Sequence, residues 1–212
     1  MRNKFQTSSN VICFSILGIL TISTIPVSVS AEIASSPKLI LAQLSDIEKQ
    51  ERSQLIQQAN ISYSQGNLPE AEASLRQLIK KFPEDAFGHY QLGNILFRQG
   101  KTDDAINAYQ EAIRFQSKYA LAYNAIGSVY ASQERWQEAI TQYKKSLEIN
   151  PNYGDALTNL GQALWQINQK AEAIASLEKA LKVYRTQKTE EKAKRVEKML
   201  RQMKSNDDPS VS

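Results

Sequence analysis

The side chains able to do chemistry in this chain are few and far apart. There is one Cys, Cys13, and one His, His89. One Cys builds neither a disulfide framework nor a Cys-rich zinc site, and adding His89 still leaves too few ligands for a typical structural zinc. No nucleophile, base and orienter can be assembled around His89, which falls on the packed face of its helical pattern. Gly93…Gly100-Lys101-Thr102 looks like a phosphate-binding loop, but six residues separate its glycines where that loop has four, and no strand precedes it. Asp103-Asp104 and Glu190-Glu191 read as helix-start acids that suit the macrodipole, not as a catalytic pair. Asn60-Ile61-Ser62 matches a glycosylation acceptor but lies within a predicted helix. The expectation is a chain with no catalytic residues, no metal and no cofactor, and therefore not an enzyme.

Charge is the next candidate for chemistry. The 212 residues carry 26 bases and 22 acids, with 42% hydrophobic and 23% charged residues, the composition of an ordinary folded protein. Ten of the bases lie between Lys179 and Lys204, against Glu190, Glu191 and Glu197. Such a run is usually a solvated helix face; the sharper alternatives are an acidic partner or an anionic membrane. No aromatic interleaves with the bases after Tyr184, which argues against nucleic acid.

The elements that must position these residues begin after a leader. Arg2 and Lys4 precede an apolar run from Val11 to Ile25, and Val29-Ser30-Ala31 fits a signal-peptidase site that cuts between Ala31 and Glu32. Fifteen apolar residues fall short of the ~20 a membrane-spanning helix needs, so residues 1–31 read as a signal peptide, with an uncleaved anchor as the alternative. Cleavage removes Cys13 and leaves a cysteine-free chain of 24 bases and 22 acids, which suits an oxidising, periplasmic or similar extracytoplasmic compartment. Residues 32–44 read as a linker, and Ser45-Asp46-Ile47-Glu48 as a capping box that starts the first helix near Asp46.

From there the chain repeats. Leu92-Gly93, Ile126-Gly127 and Leu160-Gly161 recur every 34 residues, with Gln58-Ala59 one step earlier. The same step links Ala71, Ala105, Ala139 and Ala173, and also Leu75, Tyr109, Tyr143 and Leu177. Each copy holds two helical patterns, such as Tyr123, Ile126, Gly127 and Tyr130 followed by Ala139, Tyr143, Ser146 and Leu147. Gly in a helix interior costs about 1 kcal/mol, so its recurrence at one phase predicts close approach of two helix backbones. Beyond residue 187, Ala193, Val196, Leu200 and Met203 form an apolar stripe on a helix over 188–204. That helix is predicted to cover the open end of the stack. Residues 205–212 read as a disordered tail.

The segments AIGSVYASQERWQEAITQYKKSLEINP and NLGQALWQINQKAEAIASLEKAL resemble the tetratricopeptide repeat (TPR) family. The resemblance covers four copies, 52–85, 86–119, 120–153 and 154–187, the first degenerate at Gln58, Ala59 and Ser62. It implies an all-α, right-handed α-solenoid of tandem helix-turn-helix repeats with a C-terminal capping helix. It also implies a concave groove for a protein or peptide partner, lined by the first helix of each repeat: Tyr63, Tyr90, Asn94, Phe97, Arg98, Asn124, Ser128, Asn159, Gln162 and Trp165. These positions lie out of phase with the packed stripe. Their amides can pair with a peptide backbone, and their aromatics supply apolar area at little rotamer cost.

Members of that family that bind chaperone tails hold a terminal carboxylate with cations. Here Asn60 and Asn94 keep the Asn phase, but Ile56, Tyr90, Leu121, Ala125 and Asp155 stand at the clamp positions, so a chaperone-tail receptor is not expected. Trp136 opens a second helix and reads as a structural wedge. The function expected is a non-catalytic scaffold or adaptor in an extracytoplasmic compartment. The alternative is a membrane-tethered assembly factor that uses an uncleaved anchor and the basic C-terminal helix. Nucleic acid is not an expected partner, and a membrane is reached only through that anchor or that helix.

Overall fold

The computed structural model describes residues 37–205. The leader, its cleavage site at Ala31 and Glu32, and residues 206–212 of the expected tail lie outside them. The chain divides into two units, residues 1–45 and 46–212, and the repeats belong to the second.

Among the described residues every element is a helix: α1 (Pro37–Ser64), α2 (Leu68–Lys81), α3 (Ala86–Arg98), α4 (Thr102–Phe115), α5 (Ala120–Ser132), α6 (Trp136–Ile149), α7 (Gly154–Gln166), α8 (Lys170–Thr186) and α9 (Glu190–Ser205). They pair as α3/α4, α5/α6 and α7/α8, with α9 packed on α8, while Leu55 and Ala59 of α1 share one buried cluster with Ala71, Leu75 and Leu78 of α2. The all-α solenoid of helical repeats is therefore present.

One boundary differs from the expectation. Residues 37–44 are helical instead of a linker, and Ser45 lies inside α1 instead of capping it. Pro37 is acceptable at a first helical position, where its missing N–H has no partner to lose. Leu, Ala and Gln then carry the helix onward without a breaker. Ile40, Leu41 and Leu44 of this stretch stand exposed.

Local signals set the other ends. Asn67 caps α2 by accepting from the Glu70 N–H at 3.4 Å, and Asp85 caps α3 by accepting from the Gly88 N–H at 2.9 Å. The turn inside each repeat places one residue in the left-handed region: Gly66 and Gly100 at φ 78°, Glu134 at 58° and Asn168 at 63°. These four stand 34 residues apart, so the turn recurs with the repeat although glycine does not.

Packing explains the small residues. A Cβ on Gly93 would stand 2.5 Å from the Tyr109 ring, and one on Gly127 2.5 Å from the Tyr143 ring. On Gly161 it would meet Leu177 at 2.8 Å and the Ala173 carbonyl at 3.0 Å. Each of α3, α5 and α7 thus lies directly on the aromatic or leucine of its own second helix. Ala71, Ala105, Ala139 and Ala173 are fully buried. α9 sets Ala193, Val196 and Leu200 against Leu177, Ala180, Val183 and Tyr184, covering the face that α8 presents.

Candidate functional site

The first helices of successive repeats touch one another directly, α3 against α5 and α5 against α7. Polar side chains join them across this surface. Asn159 Nδ2 donates to Asn124 Oδ1 at 3.0 Å, and Gln91 Nε2 donates to Asn60 Oδ1 at 3.5 Å. The Arg98 guanidinium lies 4.6 Å from the centre of the Tyr63 ring. The ten residues expected to line a groove all stand on these helices, but they do different things.

Four of them converge. Tyr63, Asn94, Phe97 and Arg98 line a cavity of about 340 Å³ between α1 and α3, together with Ala59, Asn60, Leu75, Gln91 and Ile95. Asn94 is already engaged at both ends: its Oδ1 accepts from the Tyr109 hydroxyl at 2.9 Å, and its Nδ2 donates to Gln91 at 3.0 Å. Burial pushes the Tyr109 hydroxyl far above its usual pKa, so it remains a neutral donor and depends on Asn94. Phe97 packs partly on the core. Tyr90 leans on Tyr109 and Tyr119, with ring centroids 5.8 and 5.3 Å away, and acts as much in packing as on the surface.

Three more, Asn124, Asn159 and Gln162, line a second cavity of about 300 Å³, where α5, α7, α8 and α9 meet. The remaining walls are Asp155, Thr158, Tyr184, Lys192, Arg195 and Val196. Lys192 Nζ reaches both carboxylate oxygens of Asp155, at 2.7 and 2.9 Å, and the Tyr184 hydroxyl donates to one of them at 2.6 Å. Desolvation pushes the Asp155 carboxyl up, but the hydrogen bonds from Lys192 and Tyr184 outweigh it and hold the group below the ordinary carboxylate range. Burial pushes Tyr184 up to about 12.

The last two expected residues stand apart. The Ser128 hydroxyl donates to the Asn124 carbonyl at 3.1 Å and receives the Tyr143 hydroxyl at 3.5 Å. The half-buried Trp165 lies against the core beside Lys170, whose ammonium is 5.6 Å from its ring centre.

Sequence reasoning did not place Gln91, Thr158, Tyr184, Lys192 or Arg195 on this surface. Gln91 and Thr158 carried a usable signal, since they stand three residues before Asn94 and four before Gln162, on the same helix faces. Tyr184, Lys192 and Arg195 carried none, because their place depends on how α9 folds back. Phe87 and Leu121, one repeat apart, are also exposed on the first helices, at 36% and 38%.

The residues that hinted at other chemistry are accounted for by the fold. His89 is buried, donates from Nε2 to the Pro83 carbonyl at 2.8 Å and stacks on Phe115. Gly100 forms the turn, and Lys101 pairs with Glu72 at 3.1 Å. Among the described residues no group of His, Cys, Asp and Glu is arranged to hold a metal, and no helix is long and apolar enough to cross a membrane.

Family profiles match the same segments. Those described as "Tetratricopeptide repeat" cover residues 55–85 and 118–186, and one described as "TPR repeat" covers 93–133, together more than half of the chain. The chain belongs to the tetratricopeptide repeat family. Comparison with curated proteins gave no match. Among solved structures, this TPR chain is similar to a crystal structure of MamA, at 26% identity and TM-score 0.59 over 70% of this chain and 86% of that one. PilF of Pseudomonas aeruginosa shares the fold at 20% identity and TM-score 0.59, over 74% and 78% of the two chains. So does the first TPR domain of Spaghetti (RPAP3) bound to the HSP90 peptide SRMEEVD, at 21% identity and TM-score 0.52, over 57% and 91%.

Proposed function

We propose that this protein is a non-catalytic scaffold that holds a polypeptide against the first helices of its repeats, in an extracytoplasmic compartment. The observation that carries the reading is the cavity between α1 and α3. There Tyr63, Phe97 and Arg98 present aromatic and cationic surface beside the amides of Asn60 and Gln91. Side chains of this kind dominate the energetics of protein interfaces. The fold supports the same reading, since Spaghetti, of the same architecture, is seen with a peptide bound. The compartment rests on Arg2, Lys4, the apolar run to Ile25 and the small-residue site at Ala31.

Photo-crosslinking tests the groove. A photoreactive phenylalanine in place of Tyr63 or Trp165 should capture a polypeptide in the native cell. The same group at Gln110 or Thr141, exposed on second helices, should not. Equal capture from all four positions removes the groove reading. N-terminal sequencing of the native protein tests export, with Glu32 expected as the first residue.

A further inference from the structure

The last helix carries a row of cations that the fold does not use. In α9, Ala193, Val196 and Leu200 are buried against α8. Lys194, Lys198 and Arg201 recur at i, i+4 and i+7 on the side turned away from that stripe, and all three are exposed. Other cations of the same segment are neutralised: Arg185 by Glu197 at 2.6 Å, Lys192 by Asp155 at 2.7 Å and Lys204 by Glu178 at 2.8 Å. Lys194, Lys198 and Arg201 pair with no carboxylate among the described residues. The acids nearest to them along the helix are committed elsewhere. Glu197 holds Arg185, while Glu190 and Glu191 lie in the first turn, at the positive end of the helix dipole. Like charges three and four residues apart destabilise a helix, and no contact among the described residues offsets that here.

We propose that this face of α9 docks on a membrane surface, with Lys194, Lys198 and Arg201 set against the phosphodiester headgroups of anionic lipids. The proposal does not rest on the groove reading, and none of the three residues lines either cavity on the first helices. Two observations favour lipid over an acidic polypeptide. The row has no apolar anchor beside it: its neighbours on that side are Glu191, Gln202 and Ser205, whereas protein partners are held chiefly by buried aromatic anchors. A charged bilayer needs no such anchor. Each Lys or Arg near it strengthens binding about fivefold by charge alone, and three together on the order of a hundredfold. The leader expected over residues 1–31 also brings the chain to a membrane, whether or not it is then cut.

Amine footprinting reads the face directly, with or without the leader. The full chain is acylated briefly beside vesicles of phosphatidylcholine alone or of equimolar phosphatidylcholine and phosphatidylglycerol, and the modification of each lysine is measured by mass spectrometry. On the anionic vesicles Lys194 and Lys198 should react several-fold more slowly, while Lys80 and Lys118, exposed in earlier repeats, should not. The protection should fade between about 0.1 and about 1 M salt, as the Debye length shortens from ~10 to ~3 Å. Lys194→Gln with Arg201→Gln should abolish the protection of Lys198, and Lys194→Arg with Arg201→Lys should keep it. Both pairs retain good helix formers, so both should fold, which circular dichroism checks. No protection, equal protection on neutral vesicles, equal protection of all four lysines, or protection of Lys198 that survives the Gln pair overturns the proposal. So does protection of Lys194 and Lys198 by soluble polyglutamate but not by the anionic vesicles, which makes the occupant an acidic polypeptide.

Discussion

Glycine and alanine do most of the architectural work at the scale of single residues, and the cost of changing them depends on the atom they face. Ala139 is fully buried at the crossing of α5 and α6. Ala139→Leu should therefore overpack that crossing and cost on the order of 1–3 kcal/mol, while Ala131→Leu, at a half-buried position, should cost much less. Thermal unfolding of the two variants checks this, and equal melting temperatures would contradict the packing register. The turns offer the opposite opportunity. Glu134 adopts φ 58° where two other repeats use glycine, and a left-handed non-glycine residue carries about 1 kcal/mol of strain. Glu134→Gly should raise the melting temperature, and Gly100→Ala at the equivalent turn should lower it.

Among the elements, α9 is the one that closes the end of the stack, since its Ala193, Val196 and Leu200 pack on α8. Deleting residues 188–212 should expose Leu177, Val183 and Leu181, and uncovered terminal repeats self-associate. Light scattering that showed a stable monomer after the deletion would mean that α9 is not a cap. The ion pair between α7 and α9 adds a pH dependence. Because the folded Asp155 carboxyl lies below its ordinary value, its contribution is complete above the unfolded carboxylate's pKa and is lost as pH falls through the lower folded value. The melting-temperature gap between the wild type and Asp155→Asn, which cannot titrate, should be widest above about pH 5 and narrow as pH falls below the ordinary carboxylate range.

For the whole molecule, recognition can come from the first-helix surface or from the basic outer face of α9, and the two have different salt signatures. Trp165→Ala and Tyr63→Ala should each weaken capture of the native partner by roughly 1–3 kcal/mol with little loss of helical content. Asn94→Ala is a poor probe, because it would strand the buried Tyr109 hydroxyl and destabilise the fold directly. Lys198→Ala and Arg201→Ala should leave capture unchanged. If they weaken it in a salt-dependent way while the groove variants bind normally, the basic face is the recognition surface.

The sequence alone determined the repeat. Its 34-residue step, its small residues at one phase and its apolar stripes are local and periodic, and a periodic pattern admits one way of stacking. That was enough for the helix pairs, for the buried positions of Ala105 and Gly127, and for the face that carries Tyr63 and Asn124. It did not determine which residues of that face are already occupied. Asn94 and Tyr109 stand 15 residues apart and Asn124 and Asn159 stand 35 apart, and only packing decides that they bond to each other. Nor could it place Arg195 beside Gln162. The stripe of Ala193, Val196 and Leu200 predicted that α9 packs, but the neighbours of its charged residues depend on the angle at which it folds back over α7 and α8. That angle is set by tertiary contacts, and no local pattern encodes it.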